Sequence, residues 1–211
     1  MTSPELTNNI CVFAAGSHAA KPFIEDARRV GELIGENGFG LVFGGVGGGL
    51  MQAVAMGAKS QGAEIIGVVP GQVEDPYYAQ EELQPFLALN DRLVGTPSLQ
   101  ARKRKMLELS DGVITLAGGY GTFDEIATTL EVSRGKLNRG AASRFTILNT
   151  LGFYDGLRQQ LERMHQERVV SGTVDNAVYF SDSPEDAVVH TMEAITAPPK
   201  RIFGFMKGPN L

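Results

Sequence analysis

Asp111–Glu125 reads DGVITLAGGYGTFDE, and the fold turns on this stretch. Val113–Leu116 is a short apolar run rich in β-branched residues, the pattern of a strand buried on both faces of a parallel sheet. Gly118, Gly119 and Gly121 follow at once, and Thr122 opens a helix-like run, TFDEIATTLEV. A strand, a glycine turn and a helix start make an anion site. The free backbone N–H groups and the helix dipole point at the turn, and glycine lets a phosphate approach the backbone. Glu125 falls in the first turn of the expected helix, and two readings stay open for it. Thr122-Phe123-Asp124-Glu125 has the T-x-x-E form of a capping box, in which the glutamate bonds back to the cap residue. A carboxylate is also not needed to hold a phosphate, so Glu125 is a candidate for chemistry. Asp124 would complement the helix dipole.

Outward from this stretch, apolar runs alternate with helical patterns. Ile10–Ala14 is an expected strand, followed by a small polar loop through Ser17 and a helix over 22–36 with Phe23, Ala27, Val30 and Ile34 on one face. Leu41–Phe43 is the next strand. It runs into Gly44-Gly45-Val46-Gly47-Gly48-Gly49 and a helix from about Leu50 to Gln61. Leu50 occupies the place where a dinucleotide fingerprint needs its third glycine, and no acidic residue closes the strand Glu64–Val69, so NAD and FAD are disfavoured. The glycines of 44–49 serve either a ligand or a helix packed closely on the sheet. Gly71–Gln84 reads as loop, and Phe86–Val94 is a candidate strand. Helices are expected over about 98–110, 122–133, 154–167 and 184–195, and strands over Phe145–Asn149 and Ala177–Phe180. Residues 1–9 read as a loose arm, 134–143 as a polar connection and the segment after Pro198 as a tail. This alternation implies one domain of α/β class: a doubly wound, Rossmann-like, mostly parallel sheet with helices on both faces. Ligands bind such sheets at the carboxyl ends of the strands, where the loops 14–20, 44–49 and 117–122 should meet.

The 98–110 helix carries Arg102-Lys103-Arg104-Lys105. At 100° per residue Arg102 falls in the stripe of Leu99, Met106 and Leu109, which faces the body of the protein. An arginine there needs an anion, supplied by a structural carboxylate or by a ligand.

Composition narrows the classes. The 211 residues are 43% apolar and 20% charged, which suits a globular domain with a sizeable core. A net charge of −5 argues against a general nucleic-acid binder. Cys11 is the single cysteine and sits in an apolar run, so it reads as a small buried hydrophobe, and no disulfide can form within the chain. The three histidines show no metal spacing, so no metal is expected. No apolar run is long enough for a membrane span and no leader pattern is present, which points to the cytoplasm.

Gly118-Gly119-Tyr120-Gly121-Thr122-Phe123-Asp124-Glu125 with Arg102-Lys103 on the preceding helix resembles the signature of the LOG ("Lonely guy") family, P-G-G-x-G-T-x-x-E after an R-K pair. These are cytokinin-activating nucleoside 5′-monophosphate phosphoribohydrolases, often mislabelled lysine decarboxylases. VFAAGS (Val12–Ser17), Gly44–Met51, and Ile147–Asn149 with Phe153–Asp155 are similar to further family segments, so the likeness spans about 10–195. The chain departs from the pattern at Ala117 in place of proline, at Gln100 in place of histidine, over 134–144, and in having no tryptophan, which leaves the preferred base open.

The resemblance implies hydrolysis of the N-glycosidic bond of a nucleoside 5′-monophosphate to free base and ribose 5-phosphate, without cofactor or metal. Arg102 and Glu125 would be catalytic. Lys103, Gly118, Gly119, Tyr120, Gly121, Thr122, Ser17 and Gly45 would contact substrate. A homodimer or higher oligomer is implied, with no nucleic-acid or membrane partner. A non-catalytic carrier of a nucleotide or phosphorylated cofactor on the same fold, and a nucleoside transferase, are the alternatives.

Overall fold

Every residue of Asn9–Phe13, Gly40–Phe43 and Phe145–Leu148 is buried, as strands covered on both faces require. The computed structural model describes residues 8–17, 19–136, 143–171 and 173–197. The expected N-terminal arm, apart from Asn8 and Asn9, most of the 134–143 connection and the whole tail lie outside these. In chain order the elements are β1 (Asn9–Phe13), α1 (Lys21–Glu36), β2 (Gly40–Phe43), α2 (Gly49–Ser60), β3 (Ile65–Pro70), α3 (Gln84–Leu87), β4 (Arg92–Thr96), α4 (Leu99–Glu108), β5 (Gly112–Thr115), α5 (Tyr120–Lys136), β6 (Phe145–Leu148), α6 (Asp155–Gln166), α7 (Val174–Ala177), β7 (Tyr179–Ser181) and α8 (Pro184–Thr196). No helix among the described residues is long and apolar enough to cross a membrane.

The strands form one seven-stranded sheet in the order β4-β3-β2-β1-β5-β6-β7, and every named pairing is parallel. The chain winds from β1 out to β4, crosses back through α4, and winds out the other way from β5. The order therefore reverses between β1 and β5, the place where such sheets open a crevice at their carboxyl ends. Ile10, Val12, Leu41 and Ile65 point into one layer with Val30 and Ile34 of α1, Val54 of α2 and Val188 of α8. Cys11, Phe13, Val42 and Ile66 point into the other, with Met106 of α4, Ile126 of α5 and Leu157 of α6. Burying each large side chain contributes about 1.5–3 kcal/mol. Cys11 is buried and free, as expected.

Three expectations are corrected. The strand expected over Ala177–Phe180 runs over Tyr179–Ser181, because Val174–Ala177 is a helical turn. Phe86–Val94 is a strand only from Arg92 onward. Gln84–Leu87 is instead a helical turn with Pro85 at its start, and Asn90 Nδ2 donates to the carbonyls of Phe86 and Leu87 and ends it. The helix after the glycine turn begins at Tyr120, two residues before Thr122, because the chain enters helical geometry directly from Gly119.

Candidate active site

The crevice between β1 and β5 is built by three loops tied together through the backbone. Ala15 N–H donates to the Ala117 carbonyl at 3.1 Å, joining the loop after β1 to the loop after β5. The Ala15 carbonyl accepts from Leu50 and Met51 N–H at 3.1 and 3.2 Å, so the first turn of α2 docks on the same loop. Gly49 makes that docking possible: its φ is +55°, and a Cβ there would lie 1.9 Å from the Ser17 carbonyl oxygen. The α2 N-terminus thus spends donors on protein. The first N–H groups of α5 have no partner within the helix. A Cβ added at Gly119 or Gly121 would meet nothing within 4 Å, so that turn borders open space.

The cavity above this turn measures ≈ 240 Å³. Phe13 to Ser17 form one wall, Gly44 and Met51 a second, and Arg102 and Met106 of α4 a third. Gly119, Gly121, Thr122 and Glu125 of the glycine turn and α5 complete it. Arg102 reaches in along the carboxyl end of β3, where its Nε donates to the Val68 carbonyl at 2.7 Å. Its guanidinium covers Gly44 so closely that a Cβ there would lie 2.1 Å from Nη2. Among the described residues the ion pair between α4 and α5 belongs to Lys103, and Arg102 and Glu125 are not paired with each other. A cation and a carboxylate therefore face one cavity with space between them.

Glu125 is not a capping residue. With α5 starting at Tyr120, no acidic residue lies in its first turn, and Glu125 falls in the second. Its carboxyl is pushed up to about 7, chiefly by burial, against the lowering effect of Arg102 and Lys103, while Asp124 adds to the rise. Asp124 does not serve the dipole either, because it takes Lys103 Nζ.

The structure brings Ser17, Arg102, Gly119, Gly121, Thr122 and Glu125 to the cavity, and leaves four expected contacts outside its lining. Lys103 is 4% exposed and turned to Asp124 and Thr128 on α5. Gly118 lies against the Thr122 side chain, where a Cβ would meet Oγ1 at 2.1 Å. Gly45 backs onto β3, with a Cβ there 3.2 Å from the Gly67 backbone. The Tyr120 side chain is 97% exposed.

Three contributors were not foreseen. Met106 lies one turn after Arg102, a spacing that carries the signal. Met51 follows the glycine run. Tyr154, fully buried, donates its hydroxyl to the Leu116 carbonyl at 2.9 Å and hydrogen-bonds the Gly118 backbone, bracing the turn from beneath. Burial raises its hydroxyl pKa well above the ordinary value, so it stays a donor.

A protein-family model described as possible lysine decarboxylase matches residues 51–191. A cytokinin riboside 5′-monophosphate phosphoribohydrolase of Mycobacterium marinum is 31% identical over 180 residues, covering 85% of this chain and 90% of that protein. A probable enzyme of the same name from Oryza sativa subsp. japonica is 28% identical over 190 residues, covering 90% and 73%. Among solved structures, the molybdenum cofactor binding protein of Rippkaea orientalis matches with a TM-score of 0.66 at 25% identity, over 92% of this chain and 100% of that one. The molybdenum cofactor carrier protein of Chlamydomonas reinhardtii matches with a TM-score of 0.63 at 19% identity over 89% of this chain, a likeness of fold. By sequence the chain belongs to the LOG family, to which the cytokinin riboside 5′-monophosphate phosphoribohydrolases it resembles belong.

Proposed function

We propose that the chain hydrolyses the N-glycosidic bond of a nucleoside 5′-monophosphate, releasing the free base and ribose 5-phosphate. The observation that carries this reading is Glu125: a half-buried carboxyl with no capping duty, facing Arg102 across a cavity at a helix N-terminus. Phosphate binding needs no carboxylate there. The backbone N–H groups from Gly119 to Thr122 receive the 5′-phosphate at the positive end of α5, with Ser17 at the opposite wall. A cavity of ≈ 240 Å³ suits a sugar phosphate and leaves the base toward the mouth, where Tyr120 is exposed. As the C1′–N bond breaks, its electron pair leaves with the base, whose departing nitrogen takes up a proton from solvent, and positive charge develops on the sugar. Ionised Glu125 stabilises that charge and accepts a proton from the water whose oxygen bonds to C1′. Arg102 orients the substrate and offsets the charge of the bound anion. Because the carboxylate is the working form, kcat/KM rises with pH through about 7. No metal or redox group enters this chemistry. A homodimer or larger assembly and a cytoplasmic location belong to the same reading and rest on the family.

The test is turnover of 5′-monophosphates by wild type, Glu125→Gln and Arg102→Ala. Losses of ~10²–10⁴-fold in kcat in folded variants are expected. Unchanged rates in Glu125→Gln would overturn its assigned role. A second reading, a carrier of a phosphorylated cofactor, is favoured by the match to the molybdenum cofactor binding protein. It requires nucleotide or cofactor binding without release of base.

A further inference from the structure

Arg102 and Glu125 each sit beside a residue that ties the two helices together. Lys103 follows Arg102 on α4, and Asp124 precedes Glu125 on α5. Lys103 Nζ donates to Asp124 Oδ2 at 2.5 Å and to Thr128 Oγ1 at 3.1 Å, while the Thr128 hydroxyl donates to the Asp124 carbonyl at 2.8 Å. The lysine side chain is 5% exposed and the aspartate 59%. A buried ammonium has to stay with its partners, so this contact acts as a tie of fixed length. Successive helical residues differ by 100°, so turning Lys103 to α5 turns Arg102 to the sheet, where Val68 and Gly44 receive it. Opposite charges in a shared, poorly hydrated cavity attract strongly, yet Arg102 and Glu125 stay apart.

We propose that the Lys103–Asp124 ion pair is a spacer that fixes α4 against α5 and holds Arg102 and Glu125 apart, keeping open the gap in which the sugar of the substrate lies. Lys103 and Asp124 are positioning residues. The proposal rests on the phosphoribohydrolase reading of the cavity, but its geometry is testable without turnover.

The groups facing the Glu125 carboxyl are Arg102 and Lys103 from α4, Asp124 on its own helix, the Cys11 thiol from β1 and the Tyr154 hydroxyl ahead of α6. Cys11 and Tyr154 are neutral in the relevant range, since burial raises both. Removing the charge of Lys103 with no movement would push the Glu125 pKa up, because the lysine now lowers it. If the pair is a spacer, its loss lets Glu125 close on Arg102, and the pKa falls.

Lys103→Met is the variant of choice: it fills the buried space with an apolar chain, and Asp124 is exposed enough to be solvated. The Glu125 carboxyl is followed by carbon NMR in protein labelled at glutamate Cδ and assigned by its loss in Glu125→Gln. The proposal expects the Glu125 titration to fall by ~1 pH unit or more and kcat to fall ~10²-fold. Affinity for ribose 5-phosphate should change only a few-fold. A titration that rises or stays put in folded Lys103→Met overturns the spacer, even if wild type shows no turnover at all, an outcome that would sink only the hydrolase reading. Thr128→Val removes one of the lysine's two contacts without touching the ion pair. It should shift the titration the same way by less, and it tests the idea if Lys103→Met fails to fold. Asp124→Asn, which keeps an acceptor for Lys103, should retain more kcat than Asp124→Ala, whereas equal losses argue against a positional role.

Discussion

Replacing Glu125 with glutamine should stabilise the protein, and the gain should appear only as the pH rises. The carboxyl titrates at about 4.5 when free and at about 7 in the native cavity. Between these values the native state holds a proton that the unfolded chain has released, so native stability falls as pH increases through that window. Above it both states are ionised, and the native state carries a penalty of about 3 kcal/mol for keeping a carboxylate in a largely dehydrated site. Below pH 4.5 both states are protonated and the penalty is absent. Glutamine keeps the shape and removes the titration. Urea unfolding of wild type and Glu125→Gln at pH 4.5 and pH 8.5, without ligand, gives the comparison. Contributions from other groups are common to both proteins and cancel in the difference. Relative to wild type, the variant should gain about 2–3 kcal/mol between the two pH values, alongside its loss of turnover. A difference that is flat with pH, or that turns against the variant at high pH, would refute the claim that Glu125 is held against its own ionisation.

Other substitutions separate folding from function. In Gly44→Ala the new methyl group would meet Arg102 Nη2 at 2.1 Å and Met51 Cε at 2.2 Å, the far ends of two flexible side chains. Thermal melts should show a stability change within about 1 kcal/mol, while kinetics show kcat down ~10-fold or more as Arg102 is displaced. Gly49→Ala places a Cβ 1.9 Å from the Ser17 carbonyl at φ +55°, so denaturant unfolding should show a loss of at least about 2 kcal/mol. Tyr154→Phe leaves the buried Leu116 carbonyl without its 2.9 Å donor, at about 1–2 kcal/mol, and loosens the turn beneath the phosphate. Its KM for a 5′-monophosphate should rise more than its kcat falls.

The sheet was legible because its strands are short apolar runs separated by glycine turns, and the meeting of three loops at the carboxyl ends of the strands followed from that alternation. Arg102 was legible from helical spacing, which placed it on an inward stripe with Met106, although Leu99, expected on the same stripe, is 63% exposed at the start of α4. Less visible was the division of labour between neighbours. One step of 100° decides that Lys103 meets α5 while Arg102 meets the sheet, and a run of four cations does not show which of them is spent on a carboxylate. The start of α5 misled for a related reason. T-x-x-E is a fair cap pattern, but the chain turns helical at Tyr120, and a shift of two residues moves Glu125 from the cap to the cavity. The glycines at 44–49 left a ligand and close helix packing both open. Gly44 does line the cavity, but Gly49 serves close backbone packing on a loop distant in sequence. Tyr154 braces the turn through one hydroxyl, a contact set by tertiary structure that no local pattern encodes.

The most direct test of the account is to incubate the protein with AMP, isopentenyl-AMP and CMP and to quantify free base and sugar phosphate together by chromatography. At least one nucleotide should yield base and ribose 5-phosphate in equal amounts, catalytically and in dependence on Glu125. Tight binding of these nucleotides with no base released from any would contradict the hydrolase and identify the cavity as a carrier's site.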